Sequence, residues 1–221
     1  MSCAIFEKKS RCFFLEVCAG ICLIFLLFSC AGDAAEISNA TESLILEYSN
    51  SESFPECRLA VFIQPDNAVQ RTEDFSVENL ERGYVWNVSS PEVFEASGKQ
   101  FAYCAELRPP EGEHFPKGNY RIVYNDAAGN SSEVIVQLDY DENILRKKSS
   151  EIAGFISEKV ENIALYDEMN ELIYFGRRKN GWNSKSDMLK EYKNAFSMRI
   201  CYSSPSNSLV CFMPEEFFER N

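Results

Sequence analysis

The chain has 221 residues and a formal net charge of −12 at pH 7, with 34 acidic and 22 basic side chains. This length allows one or two small domains, and the acidic excess argues against nucleic-acid binding, which requires a basic surface. The excess is confined to residues 30–145, which hold 21 acidic and 7 basic side chains, whereas residues 146–221 are nearly balanced. This change in charge predicts a domain boundary near residue 145.

Residues 1–29 have the three parts of an export signal peptide. Lys8, Lys9 and Arg11 make the start basic, an uninterrupted apolar run covers 17–28, and the chain then becomes small and polar. A membrane-spanning helix needs about 20 apolar residues. The run is shorter than that, so the pattern favours a cleaved signal over the alternative, a retained transmembrane anchor.

The leader ends with Leu27, Phe28, Ser29 and Cys30. This segment resembles the lipobox of bacterial lipoproteins, in which the cysteine becomes the lipid-modified first residue after cleavage. The resemblance implies acyl chains such as palmitate on Cys30 and a lipid-anchored location on a bacterial cell membrane, either periplasmic or surface-exposed. Residues 30–42 would then form a polar tether. The alternative is that cleavage follows a nearby alanine and that Cys30 is an ordinary leader cysteine.

Residues 43–145 alternate between short apolar segments and turns, which predicts an antiparallel β structure. In the segment 119–124, for example, Tyr120, Ile122 and Tyr124 share one face, as expected for a strand with one buried side. The predicted strands cover 43–48, 57–64, 84–88, 100–107, 119–124 and 132–140.

The stretch 115–122 contains a Gly-x-Tyr strand, and Asp126 to Asn130 form an Asp…Gly-Asn turn. Together they resemble the last two strands of immunoglobulin-like or fibronectin-III-like domains of bacterial surface proteins. The resemblance implies an immunoglobulin-like antiparallel β-sandwich over residues 43–145. Another antiparallel sandwich or a small barrel is the alternative.

Residues 146–221 predict a small α+β C-terminal domain, so the whole chain is expected to be mainly β. Apolar residues at helical spacing predict a helix over 150–162. A second helix, capped by Ser184 or Ser186, is expected to run to about residue 195. Two hairpins complete the prediction, with strands at 162–166 and 171–175 and at 198–202 and 209–213.

Four cysteines follow Cys30 in the sequence, and an exported protein can oxidise them to disulfides. Cys201 and Cys211 lie symmetrically about Ser206, so the second hairpin would place them opposite each other and within bonding reach. We therefore expect a Cys201–Cys211 disulfide and a second one between Cys57 and Cys104. The alternative is that all four are buried free thiols.

No catalytic, metal-binding or cofactor-binding residue is assigned. The single histidine, His114, lies in a loop without a nucleophile motif nearby. The cysteines contain no C-x-x-C pair, which argues against zinc. Asp139 and Asp141 offer oxygen ligands for calcium, although a solvated acidic linker explains them more simply.

Two groups of side chains are candidate interaction surfaces. A basic loop containing a tryptophan could bind an anionic lipid headgroup or the acidic first domain. The alternative is that it is an ordinary exposed loop. A pair of C-terminal phenylalanines would leave an apolar patch of the kind that marks partner sites. The residues are Arg177, Arg178, Lys179, Trp182, Phe217 and Phe218.

These features favour a non-enzymatic binding or scaffolding protein that is tethered to the membrane of a bacterial envelope through Cys30. Its expected partner is another envelope protein and not a nucleic acid. Two alternatives stay open, namely a ligand- or metal-binding envelope lipoprotein and a glycan hydrolase that uses paired carboxylates.

Overall fold

The structure, a computed structural model, describes residues 36–66 and 68–219. The predicted signal peptide, Cys30 and the first part of the predicted tether lie outside the described residues. No helix in the described part is both long and apolar enough to span a membrane. Strand β1 begins at Ile37, so residues 37–42, predicted as tether, are part of the sheet instead.

The described chain is mainly β and consists of two sheets, which form a β-sandwich, with two short helices. The strands are β1 (Ile37–Glu47), β2 (Glu56–Pro65), β3 (Thr72–Asn79), β4 (Val85–Val88), β5 (Glu92–Ala96), β6 (Lys99–Leu107), β7 (Gly118–Asp126), β8 (Ser131–Leu138), β9 (Val160–Tyr166), β10 (Leu172–Gly176), β11 (Ser197–Ser203), β12 (Leu209–Phe212) and β13 (Glu216–Phe217). The helices are α1 (Ser149–Phe155) and α2 (Lys185–Glu191).

The larger sheet has the order β10-β9-β11-β12-β1-β2-β6-β5, with β13 also paired to β11, and the smaller sheet has the order β4-β3-β7-β8. Adjacent strands are antiparallel, except that β1 and β12 run parallel. The two sheets pack face to face, as alternating strands with one apolar side must do to remove that side from water.

The main hydrophobic core lies between the two sheets. In β7, Tyr120, Ile122 and Tyr124 are at most 1% exposed, which confirms the alternation predicted for residues 119–124. Leu44 and Leu46 of β1 are fully buried in the same core. A second, smaller core lies beneath α2 and is built from Ile163, Leu165, Trp182, Met188, Ala195, Met198 and Phe218.

Two strands of the sandwich, β3 and β5, were not predicted. β3 buries only two apolar side chains, Phe75 and Val77, among acidic and polar neighbours, so its hydrophobic signal is weak. β5 contains no buried residue and pairs only with β6 within the described chain. The turn that joins β5 to β6 has positive φ at Ser97 (53°) and Gly98 (72°), the conformation that tight hairpins require.

The C-terminal strands extend the larger sheet of the sandwich. β12 pairs with β1 in parallel, with Leu44 opposite Leu209 and Leu46 opposite Cys211. The described residues on both sides of residue 145 belong to one compact unit. Charge composition alone did not reveal this pairing, because backbone hydrogen bonds between strands are independent of net charge.

The predicted helices are present but shorter than expected. α1 ends at Phe155, and Glu158 adopts a positive φ of 53° before β9 begins. At α2, the Ser184 Oγ accepts a hydrogen bond from the Asp187 amide (3.3 Å), while the Asp187 carboxylate accepts one from the Ser184 amide (3.1 Å). This reciprocal pair satisfies amides of the first turn and confirms Ser184 as the cap.

The predicted Cys201–Cys211 disulfide is wrong, because the hairpin register differs by one residue from the assumed symmetric one. Cys201 lies opposite Phe212, and Cys211 lies opposite Tyr202. Residues directly opposite share a face, while consecutive residues on a strand point to opposite faces. Cys201 and Cys211 therefore point away from each other across the sheet.

The Cys57–Cys104 disulfide is also wrong. Cys104 lies opposite Val61, four residues along β2 from Cys57. This offset corresponds to about 13 Å, well beyond the separation that a disulfide spans. All four cysteines of the described chain are free thiols, as the alternative interpretation proposed.

A buried aspartate organises the turn between β7 and β8. The Asp126 carboxylate accepts hydrogen bonds from the amides of Ala128 (2.9 Å) and Asn130 (3.0 Å) and pairs with Arg71 at 3.3 Å. The Asn130 hydrogen bond and the other partners hold the pKa of Asp126 below its ordinary value. The charged form therefore stabilises the turn.

We expect Asp126→Asn to lower the melting temperature at neutral pH and to weaken its dependence on pH. The contribution of Asp126 is complete above its ordinary pKa of about 3.9 and is lost as the pH falls toward the lower pKa of the folded state. Thermal melts at a series of pH values check this. The exposed Asp66→Asn is the control, and identical pH profiles for both variants would contradict the prediction.

We expect all four thiols to be alkylated when the protein is denatured without reductant, as measured by peptide mass mapping. In the folded protein, Cys104 should react first because it is only partly buried, whereas Cys57, Cys201 and Cys211 are buried. Burial raises the pKa of Cys57 to about 11 and those of Cys201 and Cys211 to about 12, which suppresses their thiolates. A cysteine that resists alkylation in the denatured, unreduced chain would contradict the free-thiol assignment.

Candidate functional site

The face of the larger sheet that points away from the smaller sheet carries an open groove of about 770 Å³, which we call the outer groove. It runs across the sheet from β5 and β6 over β2 and β1 to β12 and β11. Most of its lining is apolar, and the rest consists largely of hydroxyl and amide side chains. The lining residues are Asn39, Thr41, Glu42, Ser43, Ile45, Ala60, Phe62, Phe94, Ala96, Phe101, Asn162, Phe175, Cys201, Ser203, Ser206, Asn207, Val210 and Phe212.

The groove follows from the sheet register. Leu46, Cys211 and Tyr202 form a row across β1, β12 and β11 and point into the core. The alternate positions must point to the other side. There Ile45 of β1 lies opposite Val210, which lies opposite Ser203 of β11. Ser43 of β1 and Ala60 of β2 lie opposite each other, and their small side chains leave the depression open.

Three aromatic rings, supported by that of Tyr103, form the wall at the β5–β6 end of the groove. The Phe94 ring stacks on Phe101 with centroids 5.1 Å apart, and the Phe62 ring stacks on Tyr103 at 5.7 Å. Phe62 and Phe94 meet edge to face at 5.6 Å. These mutual contacts fix the rings in position on the outer face, so they offer a preformed apolar surface.

A buried hydroxyl without a partner lies in the groove. The Ser203 side chain is 3% exposed, and within the described chain its Oγ has no hydrogen-bond partner. Its neighbour in the lining, Ser43, differs because its hydroxyl donates to the Asn207 carbonyl at 2.6 Å. Buried polar groups are nearly always hydrogen-bonded. A molecule bound in the groove would supply the hydrogen bond that the Ser203 hydroxyl lacks.

Charged side chains beside the groove are already paired. Glu47 contacts Arg58 at 3.2 Å and Arg199 at 3.6 Å, and Arg58 also reaches Glu106 at 3.3 Å. Within the described lining, no residue is basic and Glu42 is the only carboxylate. Burial raises the pKa of Glu42, which shows that its charged form is poorly solvated there.

The residues of the basic loop predicted as an interaction surface have different environments in the structure. Trp182 is 5% exposed and belongs to the second core. The Lys179 ammonium lies 4.8 Å from the ring centroids of Tyr174 and Tyr192, and it pairs with Glu191. The ion pair with Glu191 and the hydrogen bond to Tyr192 raise the pKa of Lys179.

Of the four loop residues predicted as an interaction surface, Arg177 and Arg178 are therefore the exposed ones. Arg178 has local contacts, since it donates to the Trp182 carbonyl at 3.3 Å and lies 4.0 Å from Glu161. The sequence did not indicate that Glu191, twelve residues after Lys179, would neutralise it. The loop mainly stabilises the second core.

The two C-terminal phenylalanines differ in burial, although both line a cavity beside α2. Phe218 is 6% exposed and packs in the second core, while Phe217 is 56% exposed and meets the ring of Phe196 at 5.5 Å. The predicted apolar patch thus consists of Phe217 and its neighbour Phe196, and not of two adjacent residues. Alternation along the short strand β13 explains this, because consecutive residues point to opposite faces.

His114 lies beside a cysteine, which the sequence did not reveal. Its Nδ1 is 3.8 Å from the Cys57 Sγ. Burial raises the pKa of Cys57 to about 11, so the thiol is protonated at neutral pH and lacks the thiolate that nucleophilic catalysis requires. We therefore assign the pair no catalytic role.

The acidic residues considered as calcium ligands form ion pairs and hydrogen bonds within the chain. Asp139 pairs with Lys117 at 2.6 Å, and Asp141 accepts a hydrogen bond from the Asn143 amide at 2.9 Å. Within residues 36–66 and 68–219, no group of three or more His, Cys, Asp or Glu side chains is placed to hold a metal ion.

Among the residues singled out from the sequence, only Cys201 lines the outer groove. The alternation along the predicted strands indicates which side chains point away from the core. It does not indicate which strands are neighbours in the sheet, and without that knowledge the groove cannot be located. No protein-family model, curated protein or solved structure matched the chain. The outer groove is therefore selected as the candidate site on its geometry alone.

Proposed function

We propose that this chain is a non-enzymatic binding protein of a bacterial envelope, tethered by lipid on Cys30, whose binding surface is the outer groove. The observation that carries the proposal is the outer groove itself, an apolar cavity of about 770 Å³ that contains the unpaired Ser203 hydroxyl. Its volume is within the range of about 300–1,000 Å³ typical of small-molecule sites.

Two features support an immunoglobulin-like type for the sandwich. The order β1-β2-β6-β5 corresponds to strands A-B-E-D, and β3-β7-β8 corresponds to C-F-G with β4 beside C. The Tyr120 hydroxyl donates to the carbonyl of Pro116, four residues upstream, at 2.6 Å, as in the tyrosine corner of such domains. Because this architecture carries many functions, the binding proposal depends on the groove and not on the fold.

The leader supports the tether. Its apolar run is too short to span a membrane comfortably and ends at a lipobox-like cysteine. Acyl chains contribute about 0.8 kcal/mol per buried CH₂, so several chains on one residue would anchor the protein firmly.

We expect Cys30→Ala to move the exported protein from the membrane fraction to the soluble fraction, because the variant cannot carry acyl chains. Fractionation followed by immunoblotting measures this. Cys22→Ala is the matched control, since it removes a leader cysteine outside the lipobox-like segment and should leave the protein membrane-bound. If Cys30→Ala stays in the membrane as well, lipid on Cys30 is not the anchor.

We expect the outer groove to bind the uncharged apolar dye Nile red and Val210→Trp to weaken that binding about tenfold or more, because the larger ring would fill the cavity. Dye fluorescence titrations measure the affinity. Val85→Trp is the control, as Val85 is 53% exposed on β4 of the smaller sheet. Equal dye affinity in the two variants would place the dye elsewhere and argue against the groove.

A further inference from the structure

This inference rests on the proposed binding function and names the ligand class. We propose that the outer groove binds a single-chain amphiphile with an uncharged polar head. The head bonds to Ser203, and the hydrocarbon chain crosses the outer face of the sheet toward Phe62, Phe94 and Phe101. Four observations support this: the length of the groove, the unpaired hydroxyl, the charges around the groove and the arrangement of polar and apolar groups.

The groove is long in one direction. Ser203 is on β11 and Phe94 is on β5, and five inter-strand steps separate these strands in the sheet. At about 4.8 Å a step, the distance across the sheet is roughly 24 Å. A cavity of about 770 Å³ extended over that distance suits a single extended chain better than a bulky, rounded molecule.

The Ser203 hydroxyl needs a partner. Within the described residues it has none, although its side chain is 3% exposed. A hydroxyl or carbonyl of a ligand head would supply the missing hydrogen bond. Asn162, Ser206 and Asn207 line the same end of the groove and add further uncharged hydrogen-bonding groups for a head.

The charges around the groove disfavour an anionic head. A carboxylate, sulfate or phosphate would enter an environment without a basic side chain in the described lining. The nearby cations of Arg58 and Arg199 are already paired with Glu47. Removing an anion from water without a counter-charge is costly, so the head is uncharged.

The hydrogen-bonding side chains of the described lining lie only at the end of the groove formed by β1, β9 and the β11–β12 hairpin, where they are mixed with apolar ones, and the lining from β2, β5 and β6 is entirely apolar. Thr41 and Ser43 of β1, together with the loop between β11 and β12, supply hydroxyls and amides. The wall beyond Ala60 consists of aromatic rings that contact one another. An amphiphile shows the same division between a polar head and an apolar chain.

The test uses n-alkyl glucosides as probes at concentrations below micelle formation. The protein is the full exported chain with Cys30→Ala, which has no acyl chain of its own to compete, and calorimetry measures affinity. We expect each added CH₂ from hexyl to decyl to tighten binding about three- to fourfold. Decyl sulfate, with the same chain and an anionic head, should bind at least about tenfold more weakly.

Ser203→Ala tests the head contact. It should weaken decyl glucoside binding about two- to tenfold, the range expected for one hydrogen bond. Its melting temperature should equal or exceed that of the parent chain, because the variant removes an unpaired buried hydroxyl, and this also shows that it folds. Ser131→Ala, at an exposed position on β8, is the matched control.

Affinity that does not change with chain length, or equal binding of decyl sulfate, would overturn the proposal. So would an unchanged glucoside affinity in Ser203→Ala. If Nile red binds in the groove while the glucosides do not, the binding function stands and the amphiphile assignment fails. If neither binds, the proposed function fails as well.

Discussion

β1 and β12 lie side by side in the same direction, and their backbone hydrogen bonds join the two parts of the described chain into one sheet. Without this pairing, the sheet formed by β5, β6, β2 and β1 would end at β1, and β9 to β13 would have to bury their apolar face elsewhere. With it, Leu46 and Cys211 become neighbours in one core row, and Tyr202 of β11 continues that row. The main core consequently extends under strands from both halves of the sequence.

The same pairing creates the outer groove. Every residue turned toward the core fixes its neighbour on the outer face, so burying Leu46 and Cys211 places Ile45 and Val210 side by side on the other side. The floor of the groove contains residues from both halves of the chain, and neither half could form it alone. A binding surface that depends on the join between two regions requires that join to be stable.

Ion pairing and packing decide which predicted surface groups are available. Lys179 is neutralised by Glu191 and enclosed by tyrosine rings, while Arg58 and Arg199 share Glu47. These pairs leave the outer groove without a basic side chain in its described lining, although the C-terminal region has nearly balanced charge. The chemistry of the groove is set by these contacts between side chains, and composition does not reveal it.

The sequence determined what local periodicity and local capping control. Alternation identified six strands of the sandwich, including Tyr120 to Tyr124, because a half-buried strand must repeat every two residues. The sequence predicts Ser184 or Ser186 as a cap because a serine hydroxyl reaches amides of the next turn, and Ser184 is the one that does so. Tertiary structure alone decided which strands lie side by side and in what register. The register across Cys201 and Cys211 depends on the turn conformation at Asn207 (φ 58°), and a shift of one residue reverses the face of every side chain. The outer groove is assembled from strands that are distant in sequence. It depends on which strands are neighbours and on their register, so no local pattern could define it.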